Sequence, residues 1–186
     1  EAYELSGIEV LANAYDRTIT VNGVSKAWAM TGWRLGYLAA PLWIAKACTK
    51  LQGQFTSGAS GISQRAAKAA VEADPALTME MVAAFRSRRE LVVSRLKNIP
   101  NLKINLPEDA FYVFPDVSAY FVTSFGERKI ETADDLCMYF LEEAQVATVT
   151  GAAFGAPNYI RISYAASEEE LNEALDRIEN ALAALS

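Results

Sequence analysis

Residues 23–37 read GVSKAWAMTGWRLGY and form the most informative segment of the chain. It joins two short runs, Arg17–Val24 and Leu35–Ala40, that predict strands because they are apolar or β-branched and end at turn or proline residues. Continuous runs of this kind favour strands covered on both faces, as in a parallel α/β sheet.

Lys26 and Arg34 give this stretch its chemistry. A lysine that forms a Schiff base needs a fixed position and a lowered pKa, so that its amine is a nucleophile. An arginine nearby holds a phosphate dianion through its planar fork of donors. Small neighbours (Ser25, Gly32, Gly36) let the backbone approach a flat cofactor, so the string meets the requirements of a pyridoxal phosphate site. A lysine–arginine pair alone is more often two solvated charges. The prediction of a cofactor site therefore depends on the whole fifteen-residue segment.

The composition excludes several classes of protein. The 186 residues carry 17 Lys+Arg against 23 Asp+Glu, a net charge of −6 that disfavours nucleic-acid binding by phosphate neutralisation. No apolar run reaches the roughly 18–20 residues of a membrane span. The widely spaced Cys48 and Cys137 form no metal motif and favour a reducing cytoplasm. The absence of histidine excludes Ser-His-Asp and Cys-His nucleophiles and His-based zinc sites.

The rest of the chain alternates predicted helices with short strands. A helix opens at Pro41, and a Gly/Ser-rich loop over Gln52–Ser63 precedes a helix over Ile62–Ala73. Asp74-Pro75 begins a long amphipathic helix of about 24 residues that ends at Asn98–Pro100.

After that helix the predicted elements are shorter. We predict strands over Leu102–Leu106, Ala110–Phe114, Val146–Val149 and Ile160–Tyr164, a polar loop over Phe125–Glu131, and helices capped at Thr132 and Ser167. The fold class is therefore α/β, with a boundary near Ala73 between an incomplete α/β unit (1–73) and a helix-plus-sheet unit (74–186).

Three segments resemble a known family. Residues 23–36 resemble the pyridoxal phosphate attachment signature of class I (fold type I) aminotransferases, and 22–37 resembles the NGVSKAYAMTGWRIGY string of the aspartate/prephenate aminotransferase subgroup. Ala110–Tyr112 resembles the subgroup's GAFY strand, and 151–165 its closing GAAFG…RISYA segment.

The resemblance implies the C-terminal half of the fold of pyridoxal-phosphate-dependent transferases. Residues 1–73 would form the C-terminal part of the large cofactor-binding domain. Residues 74–186 would form the small domain, including the long connecting helix.

The resemblance also implies roles. Lys26 would bind the cofactor as a Schiff base and move the proton between the substrate Cα and the cofactor. Arg34 would hold the phosphate, with Ser25 as a weaker hydroxyl contact. Arg161 would bind the substrate α-carboxylate, since a strand arginine in an apolar-aromatic string is costly to bury without an anionic partner. A salt bridge between domains is the alternative for Arg161.

Four aromatic residues near these positions receive structural interpretations. Trp33 and Tyr37 are interpreted as packing residues. Phe111 and Tyr112 are interpreted as core residues, with the substrate side as the alternative.

The sequence departs from the family pattern at three places. Asp109 stands for the glycine before Ala-Phe-Tyr, Thr150 for the proline before Gly-Ala-Ala-Phe-Gly, and 58–60 (Gly-Ala-Ser) for the usual Asn-Pro or Cys-Pro. These departures put the loop geometry in doubt and leave Lys26, Arg34 and Arg161 untouched.

The implied function is transfer of an amino group between an L-amino acid, aspartate first, and a 2-oxo acid, in a cytoplasmic homodimer. Another fold-type-I activity (prephenate aminotransferase or β-lyase) and a non-catalytic oligomerising small domain are the alternatives. The chain begins with Glu1, and family enzymes are roughly twice as long; preceding residues would supply the aspartate facing the pyridine nitrogen and other cofactor contacts. We therefore expect the 186-residue chain alone to be inactive or nearly so, and to self-associate.

Overall fold

The computed structural model describes residues 16–186. Two compact units divide the chain between Met79 and Glu80, a few residues beyond the boundary predicted near Ala73. None of the helices within the described range is both long and apolar enough to cross a bilayer.

The first unit begins with a pair of strands, β1 (Thr20–Gly23) and β2 (Gly36–Ala39), that run antiparallel with Gly23 opposite Gly36. The prediction of parallel strands is wrong here, since the two strands pair antiparallel. The reason lies in the connection: parallel neighbours need a crossover, usually a helix, whereas residues 24–35 contain only a 3₁₀ turn at Thr31–Trp33. The side chains of Val21 and Leu38 are exposed in this chain.

Two helices complete the first unit, α1 (Leu42–Phe55) and α2 (Gly61–Glu72). Pro41 occupies the N-cap position of α1, one residue before the first helical position where it was predicted. The predicted Gly/Ser-rich loop is shorter than expected, since α1 continues to Phe55 and α2 begins at Gly61.

The second unit is led by α3 (Met79–Lys97), 19 residues long. It is shorter than predicted because Pro75–Thr78 forms a 3₁₀ turn, capped as expected by Asp74, whose side chain accepts a hydrogen bond from the Ala76 N–H. Two further helices follow, α4 (Ala133–Tyr139), which continues as a π-helical turn at Phe140–Ala144, and α5 (Glu168–Ala183).

The strands of this unit form an antiparallel sheet and a hairpin. The sheet contains β3 (Tyr112–Val113), β6 (Val149–Thr150) and β7 (Ile160–Ser163), with β7 in the centre. The hairpin of β4 (Thr123–Phe125) and β5 (Arg128–Ile130) replaces the predicted polar loop, and Gly126 turns it with φ 60°. The predicted strand Leu102–Leu106 is reduced to a single bridge between Lys103 and Asp116.

One face of the sheet packs on the helices. Val113, Ile160 and Ile162 are buried on that face, in a core with the apolar sides of the three helices (Val92, Leu96, Leu136, Phe140, Leu171, Leu175 and Ile178 among them). Because side chains alternate along a strand, Arg161 and Ser163 of β7 lie on the opposite face.

The helix cap predicted at Thr132 is present, and it has the form of a capping box. Asp135 Oδ2 accepts hydrogen bonds from the Thr132 hydroxyl (2.8 Å) and N–H (2.9 Å), and the Thr132 hydroxyl oxygen accepts one from the Asp135 N–H (3.2 Å). The hydrogen bond from the Thr132 side chain is the main cause that lowers the pKa of Asp135 below its ordinary value of 3.8.

The stability that Asp135 contributes depends on pH with a definite sign. Because its folded-state pKa is the lower one, the contribution is present above about pH 4 and is lost as the pH falls through the folded-state pKa. We expect Asp135→Asn to destabilise the protein by about 0.5 kcal/mol at neutral pH, a modest figure because the pair faces solvent. Urea unfolding at neutral pH and near pH 2.5 should show this difference becoming smaller in acid. An equal difference at both pH values, or the same pattern in Asp134→Asn, would contradict this account.

Candidate functional site

The loop 24–35 between β1 and β2 carries three of the predicted site residues. Val24 is fully buried and Met30 nearly so, and both pack against Ala67 of α2. Trp28 and Leu35 are partly buried against the same cluster. The loop is therefore fixed to the helix by its apolar side chains, while Lys26 and Arg34 are exposed.

Thr31 ties the two ends of this loop together. Its hydroxyl donates a hydrogen bond to the carbonyl oxygen of Ser25 at 2.9 Å, and its own carbonyl oxygen accepts one from Arg34 Nη1 at 3.2 Å. The Ala29 N–H donates to the carbonyl oxygen of Lys26 at 3.2 Å. Sequence reasoning missed Thr31; the available signal was a single hydroxyl residue midway between the lysine and the arginine.

Two residues of the loop have left-handed backbone conformations. Ala29 and Arg34 both have φ 52°, a conformation that costs a residue with a Cβ about 1–2 kcal/mol. Conformations of this kind persist where the surrounding structure imposes them, and they cluster at functional sites. Here the imposed turn at Arg34 accompanies the hydrogen bond from its guanidinium to Thr31.

The donors on this loop fit pyridoxal phosphate. They comprise the primary amine of Lys26, the guanidinium of Arg34 and the hydroxyl of the half-buried Ser25. At Gly32 an added Cβ would meet no described atom within 4 Å, so this side of the loop is open to a ligand. The group as a whole offers an amine for an aldehyde and positive charge for a phosphate.

Trp33 and Tyr37, interpreted from the sequence as packing residues, have side chains that are 44% and 43% exposed in this chain. Their role in packing stays a prediction. Phe111 and Tyr112 are half-buried in the second unit, where their rings contact one another with centroids 4.3 Å apart.

Arg161 lies in the second unit, on the face of the sheet that points away from the helices. Its Cζ lies over the ring of Tyr112 at 4.4 Å and over the ring of Phe154 at 4.7 Å. Within the second unit (80–186) no carboxylate lies at ion-pair distance from its guanidinium. The half-buried guanidinium thus has its donors available for an anionic ligand.

The departure at Thr150 has a local explanation. Thr150 has φ −60° and ψ 139°, values that proline also adopts, and its side chain accepts a hydrogen bond from the Ala152 N–H. Threonine therefore reproduces the backbone of the family's proline and adds a cap to the turn Gly151–Phe154. The replacement of proline by threonine at position 150 is therefore compatible with the conformation of this loop.

The geometry thus places Ser25, Lys26 and Arg34 on one loop of the first unit and Arg161 on the sheet of the second. The family model described as aminotransferase class I and II matches residues 1–178.

Curated relatives and solved structures point the same way. The chain is 51% identical to a bifunctional aspartate aminotransferase and glutamate/aspartate-prephenate aminotransferase from Petunia hybrida, over 92% of the chain and 37% of that protein. It is 49% identical to an aspartate aminotransferase from Rhizobium meliloti, over 92% of the chain and 42% of that protein.

The crystal structure of the aspartate aminotransferase from Rhizobium meliloti superposes with a TM-score of 0.89 at 46% identity, over 92% of this chain and 43% of that one. The chain thus spans about two fifths of the length of the relatives it matches. It belongs to the class I and II aminotransferase family, and its fold is part of the fold of the aspartate aminotransferases.

Proposed function

We propose that this chain provides the lysine-bearing loop and the carboxylate-binding arginine of an aminotransferase that moves an amino group between an L-amino acid and a 2-oxo acid. Aspartate is the first candidate for the amino acid, because the relatives are named aspartate and aspartate/prephenate aminotransferases. The observation that carries the proposal is the loop 24–35, which presents the exposed amine of Lys26 and the exposed guanidinium of Arg34. Thr31 connects the two sides of this loop through the carbonyl oxygen of Ser25 and the guanidinium of Arg34.

Pyridoxal 5′-phosphate is the cofactor that this donor set fits, and when bound it supplies an electron sink for the bond being broken at the substrate Cα. Lys26 would hold it covalently and then take and return the proton at Cα, a role that requires an amine able to lose its proton. Arg34 would bind the phosphate with its planar fork of donors, and the Ser25 hydroxyl would donate to the same group.

Arg161 would bind the substrate α-carboxylate as a bidentate pair. A charge-assisted pair of this kind fixes the orientation of the amino acid, and orientation is what brings Cα to the base. The same contact serves an amino acid and a 2-oxo acid, because both carry the carboxylate next to the reacting carbon.

We also propose a domain assignment and an oligomeric state for this chain. Residues 1–73 are assigned to the large domain and 74–186 to the small domain of a cytoplasmic homodimer. The exposed apolar side chains of α1, among them Trp43 at 70% and Phe55 at 82%, support an interface with another polypeptide. That the 186-residue chain alone is inactive stays a prediction. Prephenate aminotransferase and β-lyase activities remain the alternative chemistries.

Arg34→Gln tests the assignment of the phosphate site. In the natural polypeptide that contains these residues, we expect it to weaken binding of pyridoxal phosphate about 10- to 100-fold, the value of a charge-assisted pair. Binding of pyridoxal, which lacks the phosphate, should hardly change. Absorbance titration measures both, with Arg65→Gln, an exposed arginine of α2, as the matched control. An equal loss for the two ligands, or no loss for pyridoxal phosphate, would contradict the assignment.

A further inference from the structure

Two aromatic rings, those of Tyr112 and Phe154, lie against the guanidinium of Arg161. Tyr112 lies opposite Ser163 in the sheet, so it is the diagonal neighbour of Arg161 on the same face. This register places the Tyr112 ring beside the guanidinium, with its centroid 4.4 Å from Cζ. The other ring, Phe154, comes from the turn after β6 and lies 4.7 Å from the same atom.

The ring of Phe154 packs against a further aromatic ring. Its ring meets the ring of Phe114 edge-on, with centroids 6.1 Å apart and an interplanar angle of 81°. Phe114 in turn stacks on Tyr159, with centroids 5.3 Å apart and an angle of 9°. The Phe154 ring that contacts Arg161 is therefore itself packed against Phe114 and, through it, Tyr159.

The contacts leave the hydrogen-bonding capacity of Arg161 unused. Aromatic rings attract the guanidinium through its charge and take none of its N–H donors. Within the second unit (80–186) no carboxylate or carbonyl oxygen accepts a hydrogen bond from this side chain, unlike Arg95, which is paired with Asp176 and Glu179.

We infer that Tyr112 and Phe154 form a clamp that fixes the guanidinium of Arg161 in position while keeping its donors available to the substrate carboxylate. This inference rests on the proposed role of Arg161 and adds two positioning residues to it. Its physical basis is preorganisation: an arginine already held in one rotamer loses less conformational freedom when the carboxylate binds. A clamp made of carboxylates would fix the side chain equally well but would compete with the substrate.

The first test measures the clamp without any reaction. In the 186-residue chain, the side-chain Nε–Hε group of Arg161 is observed by NMR in the unaltered protein and in Phe154→Leu and Tyr112→Leu. We expect each substitution to lower the order parameter of this group and to remove part of the ring-current shift of its proton. Phe154→Tyr and Tyr112→Phe should keep both. Phe125→Leu, which removes an aromatic ring of the same unit that contacts Tyr139, is the control. Unchanged order in both leucine variants would overturn the inference.

The second test separates the clamp from the role of Arg161. In the natural polypeptide that contains these residues, Phe154→Leu and Tyr112→Leu are expected to raise KM for the amino acid roughly tenfold, with a much smaller change in kcat. Phe154→Tyr should restore KM. If Arg161→Lys raises KM and the two leucine variants do not, the clamp is overturned and the proposed function stands. If Arg161→Lys leaves KM unchanged, the proposed role of Arg161 fails and the inference falls with it.

Discussion

Alanine at Gly151 is expected to destabilise the second unit by about 3 kcal/mol. A Cβ built at this position lies 2.5 Å from the carbonyl oxygen of Tyr159 and closer still to that of Ala156. Both atoms belong to the backbone, so no side-chain rotation relieves the clash. The Gly151 N–H also donates a hydrogen bond to the Tyr159 carbonyl oxygen at 2.7 Å, which connects the residue after β6 to the residue before β7.

The consequence extends to Arg161, because Gly151 begins the turn that carries Phe154. Urea unfolding of Gly151→Ala measures the loss of stability. Gly53→Ala is the matched control: it lies inside α1, where an added Cβ meets no described atom within 4 Å, and alanine there should stabilise by about 0.5–1 kcal/mol. A Gly151→Ala protein as stable as the unaltered chain would show that the loop is not packed as described.

Replacing Lys26 by alanine is expected to reduce amino transfer at least about 10³-fold in the natural polypeptide that contains these residues, because the group that moves the proton is lost. Lys26→Arg is the more informative variant. It keeps the positive charge, but its guanidinium does not lose its proton, so we expect it to be as inactive as Lys26→Ala.

The measurement is the rate of amino transfer from L-aspartate to 2-oxoglutarate. Lys46→Ala, an exposed lysine of α1, is the control and should leave the rate unchanged. Substantial activity of Lys26→Arg would show that position 26 contributes only charge, and the assignment of the base would have to move to another residue.

Local features of this fold were predictable because their causes lie within a few residues. The helix caps predicted at Thr132 and Ser167 depend on hydrogen bonds to residues three positions further on, and both are present. Asp74 caps its turn for the same reason. The loop that carries Lys26 and Arg34 was likewise visible from its strand-like flanks and its glycines.

Features that depend on distant pairing were not predictable in the same way. The direction of β1 and β2 follows from the compact loop between them, which the apolar runs alone do not reveal. The hairpin β4–β5 is polar and short, so its strands lack the hydrophobic alternation that marks a strand.

The contacts of Arg161 with aromatic rings could not be predicted from the sequence for the same reason. They require the register that sets Tyr112 opposite Ser163, a pairing across about fifty residues of chain. Composition and spacing identify an arginine in an aromatic string, and only the sheet shows which rings lie against it.

The most direct measurement of the central claim is the site of covalent attachment. The natural polypeptide that contains these residues is equilibrated with pyridoxal phosphate, reduced with borohydride, digested and analysed by mass spectrometry. We expect a reduced label on Lys26, close to one per chain, and little on the exposed Lys46, Lys50 and Lys68. A label spread evenly over the exposed lysines, or a Lys26 peptide without it, would contradict the claim that this loop is the cofactor site.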